Sequence, residues 1–174
     1  MKIINALAFF SIVLSASCNQ SLHRSPTTAA TAGEIVDTVA NQSSGQGLSV
    51  KIEVAPKIKL NDPINLKFTV YNNSDSAQTF CKWHTPFEPL MSKYLDITGE
   101  SGEDVQYKGA MAKRVMPPPA SSYITLAPKD SLSATVNLLE AYSIEKPSTY
   151  RVRYNSEEIS GLSIKDSVSF KVSR

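Results

Sequence analysis

Leu48-Ser49-Val50-Lys51-Ile52-Glu53-Val54 sets an apolar side chain at every second position. Successive side chains of a strand point to opposite faces, so the run reads as a strand with one buried face and one wet face. Pro56 and the Asn61-Asp62-Pro63 turn end it. Ile64-Asn65-Leu66-Lys67-Phe68-Thr69-Val70 alternates again and gives way to the turn formers of 71–76.

The same texture continues to the C-terminus. Thr79 to Trp83, Tyr94 to Thr98, Tyr123 to Leu126, Leu132 to Leu138, Tyr150 to Tyr154 and Val168 to Val172 read as strands, with a short piece at Val105 to Tyr107. No stretch carries a 3.6-residue apolar period. Short strands spaced by turns predict an all-β fold, an immunoglobulin-like antiparallel β-sandwich of about seven to nine strands. Leu66, Phe68, Val70, Trp83, Val136, Val152 and Phe170 are its expected core positions, and Cys81, between Phe80 and Trp83, is expected as a buried structural thiol.

Upstream of Leu48 the composition changes. Lys2 is followed by a mostly apolar run, Ile3 to Leu14, and then by Ser15-Ala16-Ser17-Cys18. A single positive charge and a short apolar run are the n- and h-regions of a signal peptide, too short for a spanning helix. The small residues before Cys18 resemble the lipobox of bacterial lipoproteins, with Ser15 where leucine is usual. Ordinary cleavage, leaving Cys18 as a free thiol, is the alternative. The expected organisation is a signal peptide at 1–17, a tether at 18–47 and a β-domain at 48–174. The tether is rich in Ser, Thr, Ala, Gly and Gln and too poor in apolar residues to offset its ordering entropy. As a flexible coil it reaches roughly 30 Å. Asn19 after the cysteine, in place of the aspartate of inner-membrane retention signals, leans the expected location to the outer membrane of a bacterial envelope.

Composition removes other classes. Eighteen basic and sixteen acidic residues leave a net charge of +2, which excludes the strongly basic footprint of a nucleic-acid binder. There is no HExxH, no GxSxG and no glycine-rich phosphate loop. His84 is the only histidine after residue 48, so a Ser–His–Asp triad there has one possible base. No metal, cofactor or catalytic residue is expected, and the enzyme reading lacks a residue to carry it.

Trp83-His84-Thr85-Pro86-Phe87-Glu88, Tyr107-Lys108-Gly109, Ala112-Lys113-Arg114, Leu138 to Ile144 and Tyr150-Arg151-Val152-Arg153-Tyr154 follow one another in an order that resembles a known domain. It is the N-terminal, non-catalytic β-domain of the peptidyl-Lys metalloendopeptidases, the deuterolysin-like zinc peptidases, and the resemblance covers about 48–155. It implies a module that assists a peptidase's folding or holds it inactive; a free-standing copy would act in trans. Pro128-Lys129 departs from that family's Pro-Gly turn, and the absent HExxH leaves its peptidase activity with no residue to fall on.

Within these motifs Phe87 is expected to plug the sandwich end, Tyr142 and Tyr150 to anchor corners through ring and hydroxyl, and Gly109 to permit a turn. The loop from Lys108 to Pro119 lacks alternation and ends in three prolines. It is the candidate contact surface, with Thr85, Pro86, Phe87, Lys113, Arg114 and Met116 as partner-binding candidates; pinning of the loop by the Ala-Lys-Arg motif is the competing use. The expected partner is an envelope or secreted protein, with a peptidase as the first candidate, and the expected membrane link is lipid on Cys18. The competing function is a structural or adhesive surface lipoprotein without a specific peptidase partner.

Overall fold

The computed structural model describes the backbone of residues 39–43 and the whole of residues 47–174. In chain order the elements are β1 (Val39–Ser43), β2 (Leu48–Val54), β3 (Lys57–Lys59), β4 (Asn65–Asn72), β5 (Gln78–Cys81), β6 (Leu95–Thr98), β7 (Tyr123–Leu126), β8 (Ser131–Asn137), β9 (Ser148–Tyr154), α1 (Glu157–Ser160) and β10 (Val168–Ser173). They form two four-stranded sheets, β1-β2-β4-β8 and β3-β10-β9-β6, and a two-stranded ribbon, β5-β7. The all-β expectation holds.

Two strands exceed the expected set, and one pairing departs from the antiparallel rule. Val39 to Ser43, assigned by the sequence to the tether, pair antiparallel with Glu53 to Ser49 of β2. Lys57 to Lys59 pair parallel with Lys171 to Ser173 of β10. The chain leaves β2 at Val54 and enters the second sheet at Lys57. Pro56 sits at this switch, its carbonyl accepting the Lys171 N–H at 2.9 Å. The chain does not fold back on β2 here but crosses to the other sheet, where β3 runs parallel to β10. Val105 to Tyr107 forms no strand; its surroundings hold only the isolated bridges Thr98–Asp104 and Tyr107–Tyr142.

Alternation decides what is buried. On β2 it gives Leu48, Val50, Ile52 and Val54; on β4 Leu66, Phe68 and Val70; on β9 Tyr150, Val152 and Tyr154; on β10 Val168, Phe170 and Val172. Phe68 is completely buried. Its ring meets Tyr154 at 5.5 Å and Phe87 edge-on at 6.1 Å. Burying such a side chain is worth about 2–3 kcal/mol. Trp83 and Cys81 are buried as expected, Cys81 as a free thiol. Val136 is the exception among the expected core residues: it lies half-buried on β8, one of the two outer strands of its sheet, and packs against the core from its margin.

Candidate functional site

The turn after β5 is built by Thr85. Its hydroxyl donates to the Lys82 carbonyl at 2.6 Å and accepts the Phe87 N–H at 3.2 Å. That locks Pro86 and turns Phe87 inward, where its ring lies 5.4 Å from Phe80. Phe87 is thus the plug that its position after Pro86 predicts. Thr85 and Pro86 are buried, so neither offers a side chain to a partner.

Glu88 follows on the same turn and faces Arg114 of the Lys108–Pro119 loop. The Arg114 Nη2 donates to Glu88 Oε1 at 2.6 Å. The Glu88 side chain is 7% exposed and that of Arg114 20%. The guanidinium also stacks over Trp83, 4.8 Å from the ring centroid. The same carboxylate oxygen accepts the His84 N–H at 3.0 Å. Arg114 therefore ties the loop to the sandwich, and its Nε, buried without a partner, adds nothing outward. Glu88 was not singled out by the sequence, since a charge 26 positions from its partner leaves no periodic signal.

Two backbone bonds and one from a side chain also hold this loop. Its Lys108 N–H donates to the Ala141 carbonyl at 2.8 Å and its Ala112 N–H to the Met91 carbonyl at 2.7 Å. Tyr107 donates to the Ala110 carbonyl at 2.7 Å and packs its ring against Tyr142. Tyr142 and Tyr150 anchor corners as expected, donating to the carbonyls of Leu95 and Lys146 at 2.9 and 2.8 Å. Gly109 plays a different part from the one expected. Its φ is not positive; a Cβ there would stand 2.5 Å from the Tyr107 hydroxyl and 2.8 Å from the Ala141 Cβ. Close approach, not conformational freedom, excludes a side chain.

With its backbone held, the loop turns apolar groups to water. Met111 is 72% exposed, Val115 78% and Met116 61%, with Tyr123 of β7 at 44%. Lys113 is exposed beside them. Of the six candidates, Lys113 and Met116 stand free, Phe87 and Arg114 are half-buried in structural contacts, and Thr85 and Pro86 lie inside.

His84 sits at φ +58°, in the left-handed region. Its carbonyl accepts the Tyr154 hydroxyl at 3.0 Å, and its Nδ1 lies 3.3 Å from the Ser156 hydroxyl. Burial holds the imidazole below its ordinary pKa; Glu88 opposes that shift and Arg114 adds to it. Glu88 meets the His84 backbone and not its ring, so the Ser156–His84 pair lacks the orienting acid of a triad. Among the described residues no three of His, Cys, Asp and Glu gather to hold a metal ion.

Residues 48–157 match the immunoglobulin-like domain family. The chain belongs to that family. A search of curated proteins finds no match. The immunoglobulin-like domain is a non-catalytic β-sandwich at the level this match supports, and the matched span takes in the Thr85–Pro89 turn and the whole Lys108–Pro119 loop. The loop is thus part of the immunoglobulin-like domain and not an appendage to it.

Proposed function

We propose that this immunoglobulin-like protein is a lipid-anchored module of the bacterial cell envelope that binds another envelope or secreted protein through Met111, Lys113, Val115 and Met116. The observation that carries the reading is the exposure of these apolar side chains on a loop whose backbone is pinned by Arg114. Methionine and aromatic groups are enriched in interfaces, and a loop held in place loses little entropy on docking. The resemblance to the domain that accompanies deuterolysin-like peptidases makes a peptidase the first partner to try, with inhibition or assisted folding as the effect. The Ser15-Ala16-Ser17-Cys18 run supports attachment through lipid on Cys18, and Asn19 supports the outer membrane.

Capture from envelope extract, followed by reconstitution with the purified peptidase, tests the binding. Met111→Ser with Val115→Ser and Met116→Ser is expected to lower affinity at least tenfold and to leave the melting temperature nearly unchanged. If the wild type captures no peptidase or other envelope protein, the structural or adhesive reading replaces this one. Fatty-acid labelling tests the anchor: the wild type takes the label and Cys18→Ala does not. Equal labelling of both refutes lipid on Cys18.

A further inference from the structure

The outer face of β3-β10-β9-β6 gathers positive charge. Alternation turns Lys57 and Lys59 of β3, Lys171 of β10, and Arg151 and Arg153 of β9 to solvent, and all five are exposed. Lys165 joins Arg151 and Arg153 in a recess of about 460 Å³ that also includes Asp96 and Asp104. Asp96 is taken by Arg153 at 3.0 Å and by Lys93 at 3.6 Å. Glu157 and Glu158 of α1 share a second recess with Arg153 and Lys165 at that end of the sheet. Lys57, Lys59, Lys171 and Arg151 make no ion pair among the described residues.

Folding alone does not account for this arrangement. Lysines on β3 are expected, because charged side chains on an edge strand block pairing with other chains. Lys171 and Arg151 lie on β10 and β9, the two inner strands. Lys171 stands in direct register with Lys57, a like-charge pairing that disfavours the sheet. The first sheet differs: on its outer face Lys51 is paired with Glu53 at 2.8 Å, and Ser131, Ser133 and Thr135 fill β8. The basic face carries none of the exposed large apolar side chains, which lie on the 82–123 side of the chain. A protein partner wants apolar anchors at the centre of its contact. A broad face with an excess of cations, four of them without an ion pair among the described residues, suits a planar polyanion.

We propose that this face docks on the phosphate headgroups of an anionic lipid bilayer. The choice of a bilayer rests on the membrane-anchored reading above; the charged face itself does not. The Met111–Met116 loop remains the protein-binding surface.

The test uses the unacylated secreted chain, residues 18–174 with Cys18→Ser, which retains every described residue. Its partitioning is measured on vesicles of phosphatidylcholine with and without one-fifth phosphatidylglycerol, at low and high salt. Binding is expected only with phosphatidylglycerol and is expected to weaken as salt shortens the screening length. Replacing Lys57, Lys59, Arg151 and Lys171 with Gln is expected to lower it by on the order of a thousandfold, from about 1 kcal/mol per cation. A control with Lys67, Lys108, Lys129 and Lys146 changed to Gln loses the same charge and is expected to stay within about fivefold of wild type. Lys57→Gln with Lys59→Gln, on the edge strand alone, gives the partial loss should the fourfold variant misfold. Equal losses in the fourfold variant and its control overturn the proposal, as does wild-type binding that ignores phosphatidylglycerol. Retention on immobilised poly-L-glutamate without vesicle binding also overturns it and assigns the face to an acidic protein. Failure on unacylated protein leaves fatty-acid labelling of Cys18 unaffected, so the two readings fail separately.

Discussion

Arg114→Ala should destabilise the domain sharply, although its sequence context places it among contact residues. The substitution strips Glu88 of its partner. The carboxylate is 7% exposed and keeps only the His84 N–H at 3.0 Å. Breaking a buried pair by deleting one member costs about 3–5 kcal/mol, because the remaining charge is left desolvated. Arg114 is 20% exposed, so water enters part of the vacated space and the lower end applies. Loss of the stacking on Trp83 adds about 0.5–1 kcal/mol. The expected total is about 3.5–4 kcal/mol, equivalent to about 12 °C in melting temperature for a domain of this size.

Urea unfolding of the wild type, Arg114→Ala, Glu88→Gln and the double variant closes a cycle. A coupling of about 1.5–3 kcal/mol is expected, since the double variant leaves no orphan charge. Met116→Ala, which removes an exposed side chain, should change stability by less than about 0.5 kcal/mol. A cost under about 1 kcal/mol for Arg114→Ala, or a coupling near zero, refutes the assignment of Arg114 as the pin and returns it to the contact surface.

Two other outcomes follow from the core and from His84. Phe68→Ala removes a fully buried ring packed between Phe87 and Tyr154 and should cost about 3–5 kcal/mol in chemical denaturation; a loss under about 1 kcal/mol would mean that the face is wrongly assigned. Burial lowers the His84 pKa, so below about pH 6.5 the unfolded chain takes a proton that the folded chain refuses, and stability should fall as pH drops through that window. His84→Gln should flatten the change between pH 7.5 and 5.5; an unaltered slope refutes the assignment.

What the sequence made legible is what period two controls. β2 and β7 run from Leu48 to Val54 and from Tyr123 to Leu126, as their alternation requires. β3 was not legible, because a single apolar residue, Ile58, between two lysines gives no period to recognise. β1 is Val-Ala-Asn-Gln-Ser, and its place on the sheet edge comes from backbone pairing with β2, which side-chain patterning does not encode. The loop was readable as exposed from its lack of alternation. Arg114 and Met116, two residues apart, look alike as surface candidates. Only a carboxylate brought from Glu88 tells the pin from the free side chain. Lys129 shows the same limit: it adopts φ +60°, so the turn takes left-handed geometry without the glycine that would announce it.

The basic face shows why a net charge can mislead. Eighteen positive and sixteen negative side chains nearly cancel over the chain. Charges interact across water over about 8 Å at physiological salt, so what a partner meets is the local arrangement and not the sum. Lys-Ile-Lys at 57–59, Arg-Val-Arg at 151–153 and Phe-Lys-Val at 170–172 each bury the apolar member and turn the cation out. Once β3 and β9 flank β10, the cations of all three strands share one surface. Each tripeptide alone is an ordinary half-buried strand. Their convergence depends on the parallel pairing of β3, which is the feature the sequence hid. The exclusion of nucleic acid drawn from net charge concerns a footprint spread over the whole chain. A patch confined to one sheet face is compatible with it, and the vesicle measurement decides whether that patch meets lipid.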